Sequence, residues 1–210
     1  AQNLVDVVGL RGDDVYFVCM PLFHSNAQTI QVMPALLAGA RIVVWPGFEA
    51  ASWLDDVRAV GATVTNTLGV MSQSLFDQPE RDDDGDNPLR VVQTIPMPKA
   101  IGERFEQRFG VSCVDGYGLT DVGMLAFRRR DEPLVPGSSG RPMPGYHVVI
   151  ADPVTDEPLP PNTVGEIIVR PLVPYGVMAG YWRNPEATVS AWRNLWFHTG
   201  DAGYLDDDGR

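Results

Sequence analysis

The feature that most constrains this chain is an alternation that runs from Val15 to Gly116. Short apolar runs of strand length take turns with segments of helical periodicity. "VYFVCM" (Val15 to Met20) is an unbroken apolar run, the pattern of a strand buried on both faces. A predicted helix follows, opening near Asn26 and closing at Gly39. "RIVVW" is then a strand, "ASWLDDVRAVG" a helix ending at Gly61, and "TVTN" a strand. A helix from about Met71, the strand "RVVQT", the helix "AIGERFEQRFG" ending at Gly110 and the strand "SCVDG" complete the series. Strands and helices in strict alternation close into right-handed βαβ units around a parallel sheet.

Beyond about Arg130 proline and glycine become frequent, and short β-type runs ("YHVVIAD", "VGEIIVR", "WFHTGD") stand between turn-rich stretches. The predicted fold class is therefore α/β: a parallel-sheet layer over residues 1–128, then a small β-rich, barrel-like subdomain over residues 129–210. Ligands of open α/β sheets sit beyond the carboxyl ends of the strands. "SCVDG" runs directly into "YGLTD", so Tyr117, Thr120 and Asp121 are expected at such a place. Two glycines, a hydroxyl and a carboxylate suit a phosphate and its metal; a tight turn would need the glycines alone.

Composition narrows the partners. A net charge of −11 argues against a nucleic-acid partner, because such binders carry a basic footprint. Any phosphate must be held by backbone N–H groups, hydroxyls and a divalent cation. Lys99 is the only lysine. Cys19 and Cys113 lie in apolar runs and read as reduced core residues; with no secretion signal and no membrane-spanning run, the cytoplasm is the expected location. The acidic stretch from Asp77 to Pro88 reads as solvated loop. There is no G-x-x-x-x-G-K-[ST] loop and no G-x-S-x-G elbow, and Asp121 stands where a dinucleotide fingerprint needs its third glycine. His24, His147 and His198 are scattered without zinc spacing, and His198 and Asp201 read as parts of a turn. Residue chemistry alone supports an α/β ligand-binding domain, Mg²⁺-dependent if the Thr120–Asp121 pair works as proposed.

Several stretches, in order, resemble the adenylate-forming superfamily, which contains acyl-CoA synthetases, luciferases and peptide-synthetase adenylation domains. "PLFH" (Pro21 to His24) resembles the segment leading to the acyl pocket, and "GYGLTD" the Tyr-Gly-x-Thr-Glu motif. "GSSGRPMPGYHVVIADPVTDEPLPPNTVGEIIVR" resembles the family's β-subdomain, while "MAGYWRNPEAT" and "WFHTGDAGYLDDDGR" resemble the run that ends its large N-terminal domain. The forms "WFHTGD" and "PLFH" are most similar to acyl-CoA ligases.

The resemblance implies a two-step ligase using ATP, a carboxylic acid and coenzyme A, with Mg²⁺ and an acyl-AMP intermediate. Tyr117 would lie against adenine, Thr120 would donate to the α-phosphate, Asp121 would hold Mg²⁺, and Asp201 would accept both ribose hydroxyls. Thr94, Ile95, Pro96, Asp115, Gly116 and Gly118 would line the nucleotide. His24, with a catalytic role at the carboxylate entry, and Asn26, Met97, Gly118 and Met124 would surround the acyl group. In isolation each has a plainer reading. Tyr117 is a strand-end aromatic, Asp201 a turn cap, His24 a satisfied polar residue, and Met97 and Met124 core filler.

Three departures from the family pattern stand out. Asp121 replaces the usual Glu, shortening the carboxylate's reach by about 1.5 Å. "QTIPMP" replaces the Gly-Ala-Ala-Pro stretch, so Thr94 and Ile95 narrow the pocket and point to a small or short acyl group. Gly69 replaces a usual proline and loosens a helix start. The family's phosphate loop and its C-terminal catalytic lysine are not among these residues, and Lys99 is not placed to substitute; the expectation is part of a larger ligase, inactive alone. An adenylation domain that loads a carrier protein and a degenerate nucleotide-binding module are the alternatives.

Overall fold

The computed structural model describes all 210 residues, Ala1 to Arg210, and divides them into two units. The first comprises Ala1–Gly116 and Arg128–Ser139, the second Tyr117–Phe127 and Gly140–Arg210.

In the first unit the elements are α1 (Gln2–Val8), β1 (Val15–Val18), a π-helix (Asn26–Val32) continuing as α2 (Met33–Ala38), β2 (Arg41–Val44), α3 (Trp53–Val60), β3 (Val64–Leu68), α4 (Gly69–Phe76), β4 (Val91–Ile95), α5 (Gly102–Phe109) and the start of β5 (Ser112–Leu119). The strands lie in the order β2-β1-β3-β4-β5, every pair parallel. The expected βαβ series is present, and Gly39, Gly61 and Gly110 each close their helices in the left-handed conformation. Tyr16, Val64, Val91, Val92 and Cys113 are fully buried in the sheet. Trp53, Phe105 and Phe109 pack from α3 and α5, with the Phe105 and Phe109 rings 4.6 Å apart.

The chain's return from residue 128 belongs to this unit, whereas the change of composition predicted one cut there. Arg128 is the reason. Its side chain is buried, pairs with Glu106 of α5 at 2.9 Å and donates to the Cys113 carbonyl, while its N–H donates to the Asp115 carbonyl at 2.9 Å. Leu134 then packs where Gly102 lacks a side chain, and Gly137 sits against the stem of Lys99. Lys99 itself is exposed on the turn before α5.

In the second unit β5 continues through Leu119 instead of ending at Gly116, and β6 (Gly123–Phe127) returns after a short turn to pair with β7 (Arg141–Pro142). Tyr117 and Gly118 are therefore strand residues; Thr120 and Asp121 occupy the turn together with Val122. Gly118 has a local cause here, since a Cβ would stand 2.3 Å from the Gly123 carbonyl oxygen and 2.7 Å from the Met124 Cα. The β-rich region forms a four-stranded antiparallel sheet in the order β10-β11-β9-β8, from β8 (Tyr146–Ala151), β9 (Gly165–Pro171), β10 (Trp192–Arg193) and β11 (Trp196–Gly203), with α6 (Pro185–Ala191) preceding β10. Val122, Leu125, Val169 and Phe197 form its core, flanked by Tyr117, Leu119 and Tyr146.

Candidate active site

Strand β11 departs from regular pairing where the candidate carboxylate sits. His198 is level with Ile168 and Ala202 with Glu166, so Thr199, Gly200 and Asp201 together oppose Ile167 alone. Such a bulge re-aims side chains. The Thr199 hydroxyl donates to the Ile167 carbonyl at 2.7 Å and accepts from the Asp201 N–H at 3.1 Å, and Gly200 takes φ +75°. The result is an exposed Asp201 carboxylate on a short, hydrogen-bonded loop of a strand.

The Tyr117 hydroxyl donates to Asp201 Oδ2 at 2.6 Å. Burial first, and then the Asp201 carboxylate, push the Tyr117 pKa well above the ordinary phenol range, so the hydroxyl stays a donor. Its ring is half-buried beside Leu119, Val122 and Leu125. Thr120 is exposed on the following turn and Asp121 half-buried. That turn is fastened twice: the Asp121 carbonyl accepts the Met178 N–H at 2.9 Å, and the Tyr146 hydroxyl lies 2.7 Å from the Val122 carbonyl and 2.8 Å from that of Gly176. The Tyr181 hydroxyl is hydrogen-bonded to the Asp121 carboxylate; desolvation and that contact raise its pKa. The second unit thus holds Tyr117, Thr120, Asp121 and Asp201, each on a braced turn or strand.

No group of three or more His, Cys, Asp and Glu is arranged to hold a metal. A lone carboxylate nevertheless fits Mg²⁺, which is commonly held by one or two carboxylates together with substrate phosphates and water.

In the first unit Asp115 is 2% exposed, and its oxygens accept the Met97 N–H at 3.1 Å and the Gly116 N–H at 2.7 Å. Burial pushes its carboxyl up to about 7, against the two N–H donors and Arg128. Asp115 thereby ties β5 to the segment after β4. Thr94 is completely buried, with its hydroxyl 3.0 Å from that of Thr67 and 3.4 Å from that of Ser72. Its side chain is committed to that cluster. Pro96 is exposed and Ile95 half-buried. Met97 is buried close to Gly102, which makes it a core residue of this unit. His24 is exposed, and its Nδ1 accepts the Asn26 N–H at 3.0 Å, which leaves Nε2 as the donor. Asn26 points inward, its amide oxygen taken by Gln31 at 2.7 Å.

Sequence reasoning missed Tyr181, Glu166 and His198. The stretches "MAGYW" and "VGEIIV" contained the first two, but only strand register and loop path bring them to Asp121 and Gly200. His198 contacts Glu166 at 3.0 Å.

The sequence profile of the AMP-binding enzyme family matches residues 1–182. The chain belongs to this family. It is 36% identical over 206 residues to the crotonobetaine/carnitine-CoA ligases of Salmonella heidelberg and Salmonella typhimurium, covering 96% of this chain and 40% of each of those proteins. Its structure is similar to ATP-bound MatB from Rhodopseudomonas palustris, with a TM-score of 0.89 and 28% identity over 99% of this chain and 41% of that one. VinN gives a TM-score of 0.82 and 29% identity, over 99% and 52% of the two chains. The chain thus spans about two fifths of the length of the curated relatives it matches. No helix in this member of the family is long and apolar enough to cross a membrane.

Proposed function

We propose that the protein carrying this chain is an AMP-forming acyl-CoA ligase. In the first step a substrate carboxylate oxygen attacks the α-phosphorus of ATP and pyrophosphate leaves, giving acyl-AMP. In the second, coenzyme A thiolate attacks the acyl carbon and AMP leaves. Free coenzyme A is favoured over a carrier protein as acceptor because the curated relatives at 36% identity are CoA ligases.

The observation that carries this reading is the Asp201 carboxylate, presented on a bulge and met by the Tyr117 hydroxyl. A carboxylate with two acceptor oxygens matches a ribose diol. Tyr117 offers its ring to adenine, and Thr120 its hydroxyl to the α-phosphate. Asp121 holds Mg²⁺, which when bound supplies positive charge against the charge that develops on the phosphates. The backbone at Thr94–Pro96 and Asp115–Gly116, with Gly118, borders the nucleotide. His24 stands at the carboxylate entry, its Nε2 a donor toward the substrate carboxylate, with Asn26, Gly118 and Met124 around the tail. With the Thr94 side chain turned into the Thr67 and Ser72 cluster, the bulk of Ile95 is what selects a small or short acid, and the reduced cysteines suit the cytoplasm.

Calorimetric titration of the full-length protein with AMP tests the reading. Asp201→Asn is expected to weaken AMP binding roughly tenfold or more, the scale of losing a charge-assisted hydrogen bond. Unchanged affinity would defeat it. Pyrophosphate exchange across a chain-length series of acids then tests the small-acid assignment, which best turnover on long chains would overturn.

A further inference from the structure

The bulge that presents Asp201 is not held by packing. Gly200, Asp201 and Ala202 are exposed, and nothing lies within 4 Å of where a Gly200 side chain would begin. Its shape therefore rests on hydrogen bonds, and one comes from a carboxylate on the neighbouring strand. Glu166 Oε1 accepts the Gly200 N–H at 3.1 Å. Its other oxygen, Oε2, lies 3.0 Å from His198 Nδ1 and 3.5 Å from Arg193 Nη2. Arg193 Nη2 is also 2.8 Å from His198 Nδ1 and 3.2 Å from Asp156 Oδ1, while Asn194 donates to Asp156 Oδ2 at 2.6 Å. His198 Nε2, buried and without a hydrogen-bond partner, is 3.7 Å from Asp156 Oδ2. Both oxygens of Glu166 are thus fixed, one by the cluster and one by the bulge.

We propose that Glu166, braced by His198, is a positioning residue for the nucleotide: it clips the Gly200 N–H and so sets where Asp201 offers its oxygens. This rests on the reading that Asp201 accepts the ribose hydroxyls. Glu166 touches no nucleotide atom in this scheme, and its influence passes through one backbone N–H.

The test is calorimetry on the full-length protein with AMP and with 2′,3′-dideoxy-AMP, which lacks the ribose hydroxyls. Glu166→Ala is expected to weaken AMP binding roughly tenfold, the scale of one charge-assisted hydrogen bond. Binding of the dideoxy nucleotide should be unchanged. Glu166→Gln keeps an acceptor for the Gly200 N–H and should bind AMP like the wild type. In an Asp201→Asn background, Glu166→Ala should add nothing. Glu166→Met, of similar length and without an acceptor, replaces the alanine variant if that one fails to fold. Equal loss on both nucleotides, or no loss on AMP while Asp201→Asn is impaired, overturns the proposal. A wild type that binds both nucleotides equally overturns the underlying assignment of Asp201 instead.

Discussion

Tyr117 and Asp201, 84 residues apart in sequence, are joined by a 2.6 Å hydrogen bond from phenol to carboxylate. The bond fixes the edge of an aromatic ring against one oxygen of an exposed acid.

If the ring face stacks on adenine, removing the ring and removing only the hydroxyl must differ. Tyr117→Ala should weaken AMP binding by about 1–3 kcal/mol, the range for losing one base–aromatic stack. Tyr117→Phe keeps the face and should cost less than half of that. Calorimetry on the two variants decides, and equal losses would assign the role to the hydroxyl.

Lengthening the Asp121 side chain offers a test of the metal assignment. Asp121→Glu restores about 1.5 Å of reach and should lower the Mg²⁺ concentration giving half-maximal pyrophosphate exchange in the full-length enzyme. Asp121→Ala should raise it. A Mg²⁺ dependence that neither variant moves would remove Asp121 from the metal site.

The buried Asp115 predicts an unusual pH dependence of stability. Its carboxyl titrates at about 7 in the fold, against about 4 in an unfolded chain. Between those values the native state holds a proton that the unfolded state has lost, so this group makes stability fall as pH rises through the window. Below it both states are protonated, and above it the loss is complete. Denaturant midpoints measured from pH 4 to pH 8 should show this component, and Asp115→Asn should abolish it. An identical pH profile in wild type and variant would place the Asp115 titration elsewhere.

Arg128 gives a test of the unit boundary. Arg128→Met leaves Glu106 without its buried ion-pair partner and the Cys113 carbonyl without a donor, at an expected loss of about 3 kcal/mol. Urea unfolding measures it. A change below about 0.5 kcal/mol, typical of surface positions, would mean that the return segment is anchored by Leu134 and Gly137 instead.

The parallel sheet was legible because β1, β3 and β4 are buried on both faces and α2, α3 and α5 end at glycine, and both signals are local. Helix α1 and strand β6 were not, since α1 is only seven residues long and β6 is a five-residue return defined by what it packs against. Within the site, Tyr117, Thr120, Asp121 and Asp201 could be named from motifs. Their supports could not: Tyr181 reaches Asp121 through a loop, Glu166 reaches Gly200 through a register shift, and Thr94 turns out to spend its hydroxyl on Thr67 and Ser72. The glycine at 118 also has a local cause that the motif did not show, since a side chain there would meet Gly123 and Met124.

Gly69 looked like a weakened helix start, yet a Cβ there would lie 2.8 Å from the Pro96 carbonyl oxygen and 3.7 Å from the Pro98 ring. A side chain at 69 and the present course of residues 96–98 therefore exclude each other. Grafting the customary proline onto position 69 would push the 96–98 segment aside, so anyone recutting the specificity of this scaffold has to exchange both stretches at once.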